Sequence, residues 1–219
     1  MKYFSPKKYL ITAAILLFIT VLISLSLQIN IVVRYDRFLG EALYQFTGAD
    51  YFFIFLSEIG SRNFFFPTLT LLSVIIVWKN NWAILLLLWI NLLGVRFANT
   101  ALKTLFERER PTLDHIVEAS FYSFPSGHSM NSMAFYGMLA LLSYHYMKKK
   151  SSKLLTVGCF VLLIFLIGLS RIYLGVHFPL DVFAGFGAGA TWLFGLYGIY
   201  SIYVNWREKK KLMHRKNFG

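Results

Sequence analysis

Long apolar runs separated by short polar segments dominate the chain: Tyr9–Ile29, Phe64–Trp78, Trp82–Leu102, Gly127–Met147, Leu154–Leu174 and Val182–Val204. A bilayer core takes about 20 mostly apolar residues per helical crossing, so these stretches predict six transmembrane helices, the second short enough to leave its ends open. Tyr9–Ile29 is long for the apolar part of a signal peptide and no Ala-x-Ala cleavage pattern follows it, so it is read as the first span. In residues 30–63, Phe38, Leu39, Ala42, Leu43 and Phe46 recur at helical spacing, followed by Tyr51, Phe52, Phe53 and Phe55, with Asp36, Arg37, Glu41 and Gln45 between them. That alternation predicts an amphipathic helix in the interface, either packed over the bundle or shaping a lipid entrance. No Ser/Gly linker or low-complexity tract divides the chain, so residues 1–219 read as a single domain. The expected fold class is all-α, a polytopic membrane protein with six transmembrane helices and an outer interfacial helix.

Composition agrees: 57% of the 219 residues are hydrophobic and 15% charged, far too apolar for a soluble domain of this length. The net charge of +12 would suit nucleic acid, but the basic residues are sorted by membrane side rather than gathered on one face, which makes the bilayer the partner. With the N-terminus inside, fourteen of the 22 Lys and Arg fall in cytoplasmic segments: Lys2, Lys7, Lys8, Lys79, Lys148–Lys150, Lys153, Arg207, Lys209–Lys211, Arg215 and Lys216. Of the ten acidic residues only Glu208 joins them. Positive-inside sorting therefore puts both termini in the cytoplasm and residues 30–63, 103–126 and 170–181 outside. The single cysteine, Cys159, lies in an apolar run, so neither an internal disulfide nor a thiolate metal cluster is expected.

"GFGAGA", Gly185–Ala190, formally satisfies a dinucleotide-binding fingerprint, but no strand precedes it and it lies inside an apolar span. Gly185 and Gly189 are instead read as a small-xxx-small surface that lets another helix approach closely.

Three polar clusters stand at the outer span boundaries: Lys103–Pro111, Phe124–Ser129 and Ser170–Asp181. Lys103 and Arg110 are seven apart and share a face if the helix persists to the residue before Pro111. Glu107, Arg108 and Glu109 fall mostly on other faces and are assigned to solvent. Arg96, seven residues before Lys103 and deeper, is read as a brace between helices. In "FPSGHS", Pro125 suits the first turn of a helix with Ser123 or Phe124 at its cap. The amides of Ser126, Gly127 and His128 would then face outward from a helix N-terminus, a ready anion site.

His177 and Asp181 are four apart, so a helix would place both on one face, with Pro179 between them as a source of local bending. A carboxylate on one imidazole nitrogen fixes the tautomer and leaves the other lone pair for attack. Arg171 adds a permanently charged fork suited to phosphate oxygens. Cations, a helix N-terminus, two histidines and one carboxylate suit phosphoryl transfer without a metal, whereas a divalent-metal site asks for several converging carboxylates.

The three clusters, Lys103 to Arg110-Pro111, then Pro125-Ser126-Gly127-His128, then Ser170-Arg171 to His177 and Asp181, resemble the signature of the type 2 phosphatidic acid phosphatase superfamily, in order and in spacing. The resemblance implies His177 as a nucleophile forming a phosphohistidine, Asp181 as its orienting partner and His128 as general acid. It implies phosphate binding by Lys103, Arg110, Ser126, Gly127 and Arg171, with no cofactor and no metal. The superfamily also holds soluble acid phosphatases and vanadate-dependent haloperoxidases. Six spans point to its integral-membrane lipid phosphatase branch, with a lipid phosphate such as phosphatidylglycerophosphate, undecaprenyl diphosphate or phosphatidic acid entering sideways from the outer leaflet. Arg96, Asn99, Tyr122 and Tyr173 are positions outside the motifs that would line its groove. Two other readings stand beside this one. A non-hydrolytic lipid-phosphate binder or translocator leaves His128 and the His177–Asp181 pairing unexplained, and a haloperoxidase fits poorly with a membrane setting.

Overall fold

The structure, a computed structural model, describes residues 5–46, 48–119 and 122–217. Lys2, one of the cytoplasmic lysines counted above, lies outside the described residues. Among those residues the chain forms eight helices: α1 (Pro6–Ser26), α2 (Asn30–Tyr44), α3 (Asp50–Ile59), α4 (Arg62–Trp78), α5 (Trp82–Phe106), α6 (Gly127–Tyr146), α7 (Lys150–Tyr173) and α8 (Pro179–Asn217). The fold is all-α, as the apolar pattern predicts.

Six of these helices, α1 and α4 to α8, coincide with the six apolar runs. Four of them, α1, α5, α7 and α8, are long and apolar enough to cross a bilayer, and the bent pair α3 and α4, which meet at 47°, makes up to five. Counted as one span, that pair would give the short second run its length from α3, across the corner at Gly60 and Ser61, and the expected six spans are then five by length and composition. The helix α6 is not among the four because its first turns carry His128, Ser129, Asn131 and Ser132. It lies at the centre, packed against α5, α7 and α8, with Met130, Ala134, Phe135 and Met138 fully buried. Polar side chains there meet protein rather than lipid, which makes them tolerable at membrane depth.

The largest of three apolar clusters among the described residues is one in which Phe65 and Leu69 of α4, Leu88 and Leu92 of α5, Phe135 and Met138 of α6, Ile167 of α7 and Tyr197 of α8 interlock. By contrast α1 packs chiefly on α8 and leaves most of its apolar surface open, as a helix facing hydrocarbon does. At 39 residues α8 runs about 58 Å at 1.5 Å per residue, nearly twice a bilayer core of about 30 Å. The basic segment from Arg207 therefore continues the helix past the apolar region.

The segment expected to hold one interfacial helix holds two, α2 and α3. Ile31, Tyr35, Phe38 and Leu39 of α2 are exposed, while its buried residues are Asp36 and Gly40. Val32, Val33 and Leu43 are half-buried, so part of the apolar surface of α2 faces outward while a carboxylate faces the bundle.

Candidate active site

Lys103 stands in the last turn of α5, Gly127 and His128 in the first turn of α6, Arg171 near the end of α7 and Asp181 in the first turn of α8. Antiparallel neighbours in the bundle bring these ends to one side, so three motifs far apart in sequence converge.

The helical face proposed for Lys103 and Arg110 does not form. The α5 helix stops at Phe106, and Glu107 takes a left-handed conformation (φ 46°) whose N–H bonds back to the Lys103 carbonyl. Arg110 comes to the site on the loop that follows. Its Nη1 donates to the Val176 carbonyl at 2.6 Å and lies 3.3 Å from Nε2 of His177. The Lys103 ammonium donates to the Tyr122 carbonyl. Ser123 joins the first two motifs, its N–H donating to the Arg108 carbonyl at 2.7 Å and its hydroxyl to the Glu109 carbonyl at 2.8 Å.

The α6 cap is Ser126, not Ser123 or Phe124, and Pro125 precedes it behind a cis peptide bond rather than opening the helix. The Ser126 hydroxyl accepts from the Ser129 N–H at 3.4 Å and from the Ser129 hydroxyl at 2.9 Å. The Ser126 N–H donates to the Asp181 carbonyl at 2.9 Å, which ties the second motif to the third. That amide is engaged, so of the three amides expected to face outward at the helix start it is not available to an anion. A Cβ on Gly127 would lie 2.9 Å from Oδ1 of Asn99, whose amide donates to the Pro125 carbonyl at 3.3 Å.

His177 is buried, with Nδ1 3.4 Å from Oδ2 of Asp181. An Nδ1–H donated to the carboxylate leaves the Nε2 lone pair on the side where Arg110 stands. Burial, with the charges of Arg110, Lys103 and Arg171, holds the imidazole well below the ordinary histidine value, so the ring is neutral at pH 7. Oδ2 of Asp181 also accepts the Phe178 N–H at 2.9 Å. Arg171 is buried, its Nη1 donating to the hydroxyl of Ser57 on α3, while its Nε has no hydrogen-bond partner among the described residues. An unpartnered buried guanidinium nitrogen beside the histidines is a donor waiting for an acceptor.

Arg108, assigned to solvent from its position, is instead 14% exposed and forks between two carboxylates: Nη1 to Asp181 Oδ1 at 2.5 Å and Nη2 to Asp36 Oδ2 at 2.6 Å. Burial pushes the Asp36 carboxyl up from its ordinary value, against the opposing pull of Arg108 and the Leu180 amide. Helical periodicity misplaced Arg108 because the helix on which it was drawn ends two residues earlier. Ser57 lies outside the motifs and carries no sequence signal of its own; Asn99 and Ser123 also lie outside them, the one expected in the groove and the other at the α6 cap.

Of the other positions read as lining a groove, Arg96 stacks over the Phe66 ring of α4 at 5.4 Å, as a brace would. Tyr122 donates to Glu107 at 3.1 Å, and Tyr173 donates to Asp50 at 2.7 Å, where it holds α3. A cavity of about 450 Å³ lies beside the site rather than in it, between α1, α5, α6 and α8. Leu102, Phe106 and Met130, close in sequence to Lys103 and His128, are among its lining residues.

Residues 82–205, which carry all three motifs, match the PAP2 superfamily. The chain belongs to that family. It is 33% identical over 158 residues to phosphatidylglycerophosphatase B of Bacillus subtilis, covering 70% of this chain and 76% of that protein. A lipid A 1-phosphatase of Rhizobium johnstonii is 38% identical over 72 residues, 33% of this chain and 25% of that one. The crystal structure of a transmembrane PAP2-type phosphatidylglycerolphosphate phosphatase from Bacillus subtilis superposes with a TM-score of 0.80 at 26% identity, covering 86% of this chain and 95% of the other. PAP2 membership with relatives that are lipid phosphatases supports a phosphatase in this chain too.

Proposed function

We propose that this PAP2 protein is a metal-independent lipid phosphate phosphohydrolase that works through a phosphohistidine on His177, with phosphatidylglycerophosphate the first candidate substrate. The observation that carries the reading is the His177–Asp181 pair at 3.4 Å with Arg110 at the free Nε2. A neutral imidazole held by a carboxylate is a nucleophile, and the cations round it are placed for the oxygens of a phosphoryl group.

In this mechanism Arg110, Lys103 and Arg171 turn from their present partners to the phosphoryl oxygens, joined by the Gly127 and His128 amides. Nε2 of His177 attacks phosphorus, and the P–O bond to the lipid breaks. His128 protonates the leaving oxygen, since a bound phosphate dianion beside it favours the imidazolium. In the second half His128 takes a proton from water, the water oxygen attacks phosphorus, the P–N bond breaks and orthophosphate leaves. No step calls for a metal, because developing charge is met by guanidinium, ammonium and amide groups.

Two further features favour a lipid at the extracytoplasmic surface. The apolar cavity beside Lys103 and His128 is a seat for a hydrocarbon chain whose headgroup reaches the cations. The helix ends opposite the site carry Lys148–Lys150 and Arg207–Lys211, which by positive-inside sorting belong to the cytoplasm together with both termini. The Bacillus relatives favour phosphatidylglycerophosphate, and the Rhizobium relative makes lipid A a competing substrate.

The test is phosphate release by the purified chain from phosphatidylglycerophosphate, undecaprenyl diphosphate and diacylglycerol pyrophosphate at equal detergent mole fraction, with His177→Ala beside the wild type. Release by the wild type and a loss of about three orders of magnitude or more in the variant are expected. Wild-type rates in a folded His177→Ala protein would sink the mechanism.

A further inference from the structure

Asp36 engages both carboxylate oxygens, one on the start of α8 and the other on Arg108. Oδ1 accepts the Leu180 N–H at 2.8 Å and Oδ2 accepts Nη2 of Arg108 at 2.6 Å, and the side chain is 1% exposed. The other arm of Arg108 holds Asp181 Oδ1 at 2.5 Å, and its guanidinium lies over the Phe178 ring, 4.4 Å from the centroid. Two carboxylates thus stand at one helix N-terminus, where the dipole favours negative charge, and share one guanidinium. Asp181 keeps Oδ2 for His177 and the Phe178 N–H.

A guanidinium is a rigid planar fork, so the direction of Nη1 is set by what Nη2 holds. With Asp36 in place, Arg108 meets Asp181 from one side only, and Oδ2 stays turned to the imidazole. Without Asp36, the fork is free to close on Asp181 with both arms and draw the carboxylate away from His177. The composition of α2 argues that Asp36 does more than attach the helix. Ile31, Tyr35, Phe38 and Leu39 are exposed and Val32, Val33 and Leu43 only half-buried, while the helix buries a carboxylate, and an apolar residue would fasten α2 without the desolvation cost of a charge. Gly40, one turn on, allows α2 to lie against Phe178 and Pro179, with its Cβ position 3.5 Å from each.

We propose that Asp36 and Arg108 are positioning residues for the nucleophile: α2 is a strap whose Asp36 aims Arg108, and Arg108 fixes the Asp181 carboxylate that orients His177. This rests on the phosphohistidine reading given above.

The experiment compares Asp36→Asn, Arg108→Lys and the double variant with the wild type, as full chains in detergent, by phosphate release from phosphatidylglycerophosphate. Each single variant should lower kcat about ten- to a hundredfold, the scale of a displaced reacting group, while KM stays within about twofold. The double variant should be no worse than the weaker single, because both act along one line of contacts. Elution volume and thermal transition establish folding, and if Asp36→Asn does not fold, Arg108→Lys, which keeps the charge and loses the fork, carries the test by its kcat. Folded variants with kcat within twofold of an active wild type, or single losses that multiply in the double, overturn the proposal and leave the phosphatase reading standing. A wild type that releases no phosphate from any of the three lipids overturns both.

Discussion

A Cβ on Gly185 would lie 2.7 Å from the carbonyl oxygen of Ser126, so α8 and α6 touch backbone to backbone where one carries Asp181 and the other the proposed phosphate cradle. Gly189, one turn deeper, repeats the contact with a Cβ position 2.5 Å from the Met130 carbonyl oxygen. Glycine is needed at both because a backbone carbonyl cannot rotate aside as a side chain can.

Gly185→Ala should therefore push the two helices apart, with an overpacking cost of about 1–3 kcal/mol. Activity should fall with stability, since His177 and the Gly127 amide sit on opposite sides of that contact. Gly195, in the same helix, has open space at its Cβ, so Gly195→Ala should be neutral or stabilising by up to about 1 kcal/mol through helix propensity. Thermal unfolding in detergent with parallel turnover measurements decides between the two positions; equal behaviour would remove the contact from the explanation.

The same glycines show what the sequence makes legible. Their spacing in an apolar run signals a close helix approach, and hydrophobic period alone places six of the eight helices. The motif residues are legible from their spacing, although the shared helical face expected of His177 and Asp181 does not form: α8 starts at Pro179, and His177 meets Asp181 from the loop before it. What spacing does not reveal is where a helix ends. Drawing α5 on to Arg110 put Arg108 on a solvent face, when the left-handed Glu107 turns the chain and sends Arg108 into the interior. Asp36 was equally hidden, because an acidic residue in an amphipathic helix reads as surface until the partner that buries it, 72 positions away, is known.

The pH profile should carry the mark of the buried nucleophile. With the His177 pKa depressed below 6.5, first by burial and then by Arg110, Lys103 and Arg171, the neutral form persists into acid, so the acid limb that His177 sets on kcat/KM should lie below pH 6.5. The linkage to stability has the same sign: the unfolded chain takes up the proton first, so the contribution of neutral His177 is intact above 6.5 and is lost as pH falls toward the folded value. An acid limb at or above 6.5 would contradict the burial.

Chelation and oxyanion inhibition bear on the proposed absence of a metal. Preincubation with EDTA should leave the rate within about twofold, since guanidinium, ammonium and amide groups supply the charge stabilisation. Vanadate and tungstate should inhibit competitively by adopting the five-coordinate geometry of the transferring phosphoryl group. Activity lost in EDTA and restored by Mg²⁺ would require a different mechanism.

Arg171 gives the sharpest test of transition-state binding. Its Nη1 rests on the Ser57 hydroxyl and its buried Nε is unpartnered among the described residues, so the guanidinium is oriented by α3 and has a donor in reserve. Arg171→Lys replaces a fork with a point charge and should cost about 10²- to 10³-fold in kcat/KM, the scale for removing one preorganised donor at a developing oxyanion. Ser57→Ala keeps the guanidinium and removes only its support, so a loss of about tenfold or less is expected. If both residues act on the pentavalent phosphoryl group, the vanadate inhibition constant should rise in proportion to the fall in kcat/KM across wild type, Ser57→Ala and Arg171→Lys. Losses in kcat/KM with an unchanged vanadate constant would instead mean that Arg171 holds the helices together and does not touch the phosphoryl group.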